Sequence, residues 1–291
     1  MTLKMAGRRA SVTDPNTWLK ELADYFTPSS NQFDGAKGHK DSIESRLNYD
    51  IGVYRMFEIG SLRHGTGVWL HSDADYLVSL KGDKPGSSTT MLDRVKNSLK
   101  ARFPSTTIVV RRPAVVCYFT DGVFEVVPGY FADSTNNNSG YWIADPANLG
   151  GWMKTYPEAH NDYVNGISKK HNGGAKQLAR LVKVWKYERN VPVSSCYLEI
   201  RAAKHMSGET SYVPVWDLYF TLKSIYDGGL AAMNDPTGLG SRFTACSSDS
   251  NKSDALSKLA TAVARATKAK DFYTSNEYDK SVEQLKLLFD R

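Results

Sequence analysis

Apolar positions recur along this chain with two different periods, and the alternation between them lays out its elements. Helical spacing comes first. Trp18, Leu22, Tyr25 and Phe26 share one face of a helix opened by Asp14-Pro15, with Asp as the cap and Pro at the first helical position. A stretch rich in Ser, Asn and Gly over 28–36 predicts a loop. A second helix is predicted from Asp41 to Met56, with Ile43, Leu47, Ile51 and Tyr54 on one side. The run Met56-Phe57-Glu58-Ile59 then delivers the chain to Gly60-Ser61. Period two follows. Strands are predicted at Tyr76-Leu77-Val78-Ser79-Leu80, Thr106–Arg111, Ala114–Phe119 and Val123–Val127. Thr120-Asp121-Gly122 supplies hairpin chemistry between the last two. A polar loop over Gly82–Thr90 and a helix over Met91–Phe103, stopped by Pro104, interrupt the strands.

Residues 129–160 carry Asn136-Asn137-Asn138, Asp145-Pro146, Gly150-Gly151 and Pro157, and read as a loop-rich crossing between lobes. Lone histidines in polar loops are usually surface or hydrogen-bonding residues, so His160 and His171 receive no role. Beyond the crossing the period is helical again: Ala175–Arg189, a helix opened by Val193–Glu199, Val215–Tyr226, Ser253–Lys270 and Glu277–Phe289. The expected fold class is therefore α+β. A core with N-terminal helices is expected over 1–155 and a helical C-terminal domain over 156–291, with a nucleotide site in the cleft between them.

The candidate chemistry sits where the period changes. Twelve residues after Ser61 comes Asp73-Ala74-Asp75, running straight into an apolar strand. Alternation puts Asp73 and Asp75 on one face. Two adjacent carboxylates repel unless a cation lies between them, and magnesium held by one or two carboxylates usually also binds substrate phosphates. Gly60 gives a tight turn, and Ser61 a hydroxyl for a phosphate. Glu125, in the middle of Phe124-Glu125-Val126-Val127-Pro128, is costly to bury unless paired or metal-bound. Turned inward it completes a two-metal site and can take a hydroxyl proton; turned outward it is a solvated strand residue. Asp121 is its competitor, but a turn residue first. Lys176, Arg180 and Lys183 line one side of the helix from Ala175. Such a stripe is either a solvated face or a phosphate contact. Ser194 or Ser195 caps the next helix, and its hydroxyls and free N–H groups suit an anion.

Composition narrows the class. The chain has 291 residues, 41% apolar and 23% charged, as in a soluble globular protein. No apolar run reaches the length of a membrane span, and MTLKMAGRRA lacks the apolar core of a secretory signal. Cys117, Cys196 and Cys246 fit no zinc spacing and cannot all pair, which points to a reducing cytoplasm. A net charge of +6 is compatible with anionic substrates but is no demonstration of nucleic-acid binding.

Gly60-Ser61, Gly65-Thr66 and Ser72-Asp73-Ala74-Asp75 resemble the signature of DNA polymerase beta-like nucleotidyltransferases. More closely they resemble the bacterial CD-NTases, relatives of cyclic GMP-AMP synthase and 2′-5′ oligoadenylate synthetase. The resemblance runs from about residue 40 to 265. It implies a nucleotidyltransferase core, a helical oligoadenylate synthetase-like lobe, and an active site in the cleft between. By this resemblance Gly60 and Ser61 contact the donor triphosphate, while Asp73, Asp75 and Glu125 are the catalytic acids and bind magnesium or manganese. Glu125 stands where the family usually has Asp. Leu181-Val182-Lys183-Val184-Trp185 resembles the helix whose Lys holds the triphosphate, and Ser194-Ser195 the pair whose second member lies near it. Relatives often place an aromatic after that pair to stack on a base; here Cys196 intervenes and Tyr197 is next. The implied function is synthesis of a cyclic di- or oligonucleotide second messenger from nucleoside triphosphates. In bacteria such enzymes serve antiviral defence (CBASS), through a separate effector that the product activates. Need for a regulatory partner, base identity, ring size and linkage stay open. Two rivals stand beside this reading: a linear oligoadenylate synthetase or a transferase to a non-nucleotide acceptor, and an inactive relative that binds a nucleotide or RNA.

Overall fold

The computed structural model describes residues 14–28, 34–71 and 73–291. Among them the period-two segments pair into one seven-stranded sheet. Strand β1 (Val53–Glu58) lies antiparallel to β2 (Ala74–Leu80), and β2 runs parallel to the long β5 (Gly122–Thr135). On the far side β5 pairs antiparallel with β4 (Ala114–Phe119), and β4 with β3 (Thr107–Arg111). The second half of β5 pairs with β6 (Asn138–Ala144), and β6 with β7 (Trp152–Thr155).

The two faces of this sheet have different fates. On one, Tyr76, Val78, Leu80, Val115, Phe124 and Val126 form a core with Ile43 and Leu47 of α2 (Asp34–Asp50) and Met91, Val95 and Leu99 of α4 (Ser88–Arg102). Tyr76 and Phe124 stack there with centroids 4.7 Å apart. The opposite face carries Leu77, Ala114, Val116, Val127 and Ile143, and Leu77, Val127 and Ile143 line an open cleft. Asp73, Asp75 and Glu125 share this second face by strand alternation.

Beyond the sheet come α5 (Pro157–Lys170), α6 (Gly174–Glu188), α7 (Ser195–Ser207), α8 (Pro214–Asp227), α9 (Asp249–Thr274) and α10 (Tyr278–Phe289). Helix α6 is buried from Leu178 through Trp185. It is therefore an inner helix with no free face, which its basic residues would not predict. Helix α1 (Pro15–Tyr25) is capped by Asp14, whose carboxylate accepts from Thr17 N at 2.9 Å. Expected with the sheet core, α1 instead puts Leu19 and Ala23, with Phe26 just beyond it, into the helical core. Burying an aliphatic or aromatic side chain of this size is worth roughly 1.5–3 kcal/mol, so this docking is strong.

Several boundaries differ from the sequence reading. The helix predicted to Met56 ends at Asp50, because Gly52 adopts φ +91 and Asn48 takes the Val53 N–H at 3.0 Å; Val53–Glu58 is then β1. The predicted crossing over 129–160 is mostly regular. Asn136 and Asn137 sit at φ 50 and 62, the left-handed pair of a tight hairpin, so they join β5 to β6. Pro157 opens α5, which carries His160. The predicted 28–36 loop is shortened by α2 from Asp34, and its residues 29–33 lie outside the described residues, as do Ser72 and the basic N-terminal segment.

Candidate active site

Asp75 on β2 and Glu125 on β5 are direct register partners across a parallel pair. Their carboxyls hydrogen-bond one another, and Asp73 reaches both through its charge. All three are half-buried. Burial raises each carboxyl, and acid neighbours add to it at Asp75 and Glu125. Asp75 is pushed well above the carboxylate range, by burial first and then by Glu125 and Asp73. Glu125 is pushed to about 6, chiefly by burial, with Asp73 adding and Asp75 and Arg111 opposing. Asp73 is raised by burial against Arg111 and Lys186. Arg111, Lys186 and Lys183 act on these acids but do not outweigh their burial, a deficit that a divalent cation corrects. Among the described residues, the group whose three ligand atoms close to within 4.8 Å is elsewhere, at His205, Glu209 and Asp217. There Asp217 already accepts from Val213 N at the start of α8 and lies 2.8 Å from His205 Nε2, so it acts as a helix cap. Asp121, the competing acid, lies at the β4–β5 hairpin, 2.9 Å from His39 of α2.

Gly60 and Ser61 begin the short helix α3 (Gly60–His64). Gly60 has φ +63, and a Cβ there would lie 2.4 Å from Asp75 Oδ2. The glycine is required twice, by its left-handed backbone and by the acid against it. Ile59 N donates to Asp75 O at 2.9 Å, tying the turn to the acid strand.

The turn is also tied to the helical half. His64 Nδ1 and Thr66 Oγ1 both bond the buried Glu199 of α7. Lys183 of α6 donates to Glu199 Oε2 at 3.1 Å and Thr66 Oγ1 at 3.2 Å. Glu199 is held well below the carboxylate range: Lys183 and His64, with the hydrogen bonds of His64 and Thr66, outweigh burial. Arg180 donates to the carbonyls of Gly67 at 2.8 Å and Gly65 at 3.0 Å. Two of the three stripe residues are thus no solvated face, whereas Lys176 is half-buried. Arg180 and Lys183 are 7% and 2% exposed and clamp the turn.

The facing wall supplies a different lysine. Lys186, one turn after Lys183, donates to Ser195 Oγ at 2.6 Å, and Tyr187 OH lies 3.0 Å from the same hydroxyl. Burial and Lys183 push Lys186 down to about 8, against the pull of Asp73. The sequence reading passed over Lys186; its spacing of three from Lys183 was the available signal. Ser194 caps α7 through Tyr197 N and lines the cleft with Cys196. Tyr197 corrects an expectation. Its ring is wholly buried and its hydroxyl donates to Ala231 O at 2.9 Å, so it belongs to the core and stacks on no base. Tyr187 is the aromatic near the acids: their charges help raise its hydroxyl, after burial, and its ring stacks on His71 at 4.4 Å.

Comparison with known proteins agrees with this geometry. The family described as "Second Messenger Oligonucleotide or Dinucleotide Synthetase domain" matches residues 14–167. A probable cyclic nucleotide synthase of Bacillus cereus (strain VD146) is 28% identical over 132 residues, 44% of this chain and 40% of that protein. The matched stretch therefore spans less than half of that relative's length. A cyclic AMP-AMP-AMP synthase of Acinetobacter sp. is 24% identical over 270 residues, 84% of this chain and 76% of that protein. Among solved structures, CdnC of E. coli MS115-1 with ATP aligns at TM-score 0.68 and 17% identity, over 97% of this chain and 99% of that one. This last likeness establishes the shared fold. With the family match covering more than half of its length, the chain belongs to the second messenger oligonucleotide or dinucleotide synthetases, the bacterial CD-NTase family of nucleotidyltransferases.

Proposed function

We propose that this protein is a metal-dependent nucleotidyltransferase that joins nucleoside triphosphates into a cyclic di- or oligonucleotide second messenger, which activates a separate effector in bacterial antiphage defence. One observation carries the reading: Asp73, Asp75 and Glu125 gather from two neighbouring strands, each carboxyl raised by burial, with Asp75 at one end of an open cleft.

The residues divide the work. Asp73, Asp75 and Glu125 would hold magnesium or manganese, which when bound polarises the α-phosphate and neutralises developing charge. Glu125, poised at about 6 in the metal-free protein, is placed to accept the proton of the attacking 2′- or 3′-hydroxyl. That oxygen bonds to the α-phosphorus of the donor, the bridge to the β-phosphate breaks, and pyrophosphate leaves. Gly60 and Ser61 offer the turn, and Lys186 with Ser195 offers an ammonium and a hydroxyl, to the donor's phosphate tail. Lys183 stands behind them and holds Thr66 and the turn in place. Positioning and charge compensation supply most of the acceleration in such a transfer.

Incubation of the full chain with labelled triphosphates and magnesium, then phosphatase treatment and mass spectrometry, tests this. A phosphatase-resistant product from the wild type, absent with Asp73→Asn plus Asp75→Asn, is expected. A phosphatase-sensitive chain would mean a linear synthetase. No turnover of any triphosphate would leave a binding relative.

A further inference from the structure

The cleft extends well past the acids. Its cavity of about 560 Å³ runs from Gly60 and Asp75 over Leu77, Val127 and Ile143 to a far wall with His160 and Phe243. Ligand pockets run roughly 300–1,000 Å³, so a nucleoside fits beside the acids. The apolar floor gives the face of a base a surface but no hydrogen bonds. Reading of the base edge therefore falls to the walls.

His160 is built for this. Its Nε2 lies 2.7 Å from Asp235 Oδ2. Asp235 also accepts from Thr237 N, Thr237 Oγ1 and Gly240 N, each at 2.8 Å. A carboxylate ringed by donors is ionised and can only accept, so Nε2 of His160 carries the hydrogen. A Cβ on Gly240 would lie 2.3 Å from Asp235 Oδ2, so this close approach requires a glycine. Phe243 meets the imidazole edge-on, with centroids 5.3 Å apart. The ring is thus fixed in place, and Nδ1 is the nitrogen that Asp235 does not hold; in the neutral imidazole it is the acceptor.

We propose that His160, oriented by Asp235, accepts a hydrogen bond at Nδ1 from the exocyclic amino group of the acceptor nucleotide's base, and so selects adenine or cytosine over guanine or uracil. The inference rests on the reading of the cleft as a nucleotide site. The 6-amino of adenine and the 4-amino of cytosine donate to the lone pair. The carbonyls of guanine and uracil at those positions set lone pair against lone pair. A site built to pair with a donor rejects the analogue that lacks it far more strongly than an apolar pocket rejects a change of size.

The test uses labelled ATP as donor and α,β-methylene triphosphates as acceptors, because the methylene bridge stops them from donating. Adenosine and inosine acceptors differ at position 6, amino against carbonyl, and in the proton that inosine carries at N1. The wild type is expected to favour adenosine about tenfold or more, and His160→Phe to bring the ratio within about twofold. His160→Gln guards against a folding artefact: its amide can turn to donate, so the inosine acceptor should react faster than with the wild type. An unchanged ratio in His160→Phe, or no preference in the wild type, overturns the inference while leaving nucleotidyl transfer intact. Absence of transfer to every acceptor overturns both readings.

Discussion

Two clusters of buried charge lie on either side of the Gly60 turn, and they are balanced in opposite ways. Around Asp75, carboxylates meet carboxylates: burial raises all three, and repulsion adds to it at Asp75 and Glu125. Around Glu199, one carboxylate meets an ammonium, an imidazole and a hydroxyl, and its proton affinity collapses. Burial alone makes neither a site nor a brace; the charge count decides. The satisfied cluster joins α3, α6 and α7 and fixes the turn. The unsatisfied one stores repulsion that a ligand can relieve, which is how functional clusters tend to differ from structural ones.

The comparison breaks most visibly under single neutralisations. Asp75→Asn should cut nucleotidyl transfer at least about a thousandfold, because it removes charge stabilisation at the reacting phosphate. The same change removes a repelling charge, so in EDTA its melting temperature should rise above that of the wild type. Loss of activity with loss of stability would place Asp75 in the structural class instead.

Glu199→Gln should do the reverse. It leaves the Lys183 ammonium buried without its counter-charge, and breaking a buried pair from one side costs about 3–5 kcal/mol. Urea denaturation at neutral pH reads this directly. A cost below about 1 kcal/mol would mean that Lys183 finds another partner and that the cluster is no brace.

How much of this contrast lay in the sequence depended on whether a pattern was local. Asp73 and Asp75 were legible because strand alternation puts them side by side, and Glu125 because a lone acid in an apolar strand has to be explained. Gly60 and Ser61 followed from their place before the acid strand. Glu199 was hidden: within Tyr197-Leu198-Glu199 it reads as an ordinary helix residue, and its partners His64, Thr66 and Lys183 lie far off in sequence. For the same reason Arg180 and Lys183 read as a stripe, either solvated or in contact with phosphate, since periodicity does not reveal that α6 is covered on every side. Strands β6 and β7 were missed because three asparagines read as loop, although two of them make the turn that pairs β5 with β6. Tyr197 was assigned by analogy one position past the residue it would have to replace, and that offset turns it into the core.

Acid titration separates the clusters by sign. Glu125 sits at about 6 in the metal-free fold against 4.5 for a free glutamate, so the folded state binds more protons between those values. Its contribution to stability is present below about pH 4.5 and is lost as pH rises through about 6, by at most about 2 kcal/mol. Glu199, held below the usual range, contributes above its unfolded value and loses that contribution as pH falls. In EDTA, Glu125→Gln should flatten the pH dependence of stability between about 4.5 and 6, and Glu199→Gln should flatten it at lower pH. Magnesium should remove the Glu125 component in the wild type. Identical profiles with and without magnesium would argue that no cation binds these acids.

The smallest effect tests the tyrosine that looked like a base platform. Tyr197→Phe keeps the buried ring and deletes only the hydrogen bond to Ala231 O. The lost bond should cost about 0.5–1.5 kcal/mol, partly offset because the carbonyl left behind retains a second lone pair. The KM for the donor triphosphate and kcat should both stay within about twofold of the wild type, since a ring with no exposed surface touches no nucleotide. Tyr187→Leu is the matching change near the acids, where the ring stacks on His71. It should raise the KM for the donor several-fold, because stacking on a base is worth about 1–3 kcal/mol. If Tyr197→Phe moved that KM and Tyr187→Leu did not, the helical half would have to open on nucleotide binding far enough to bring Tyr197 to the surface.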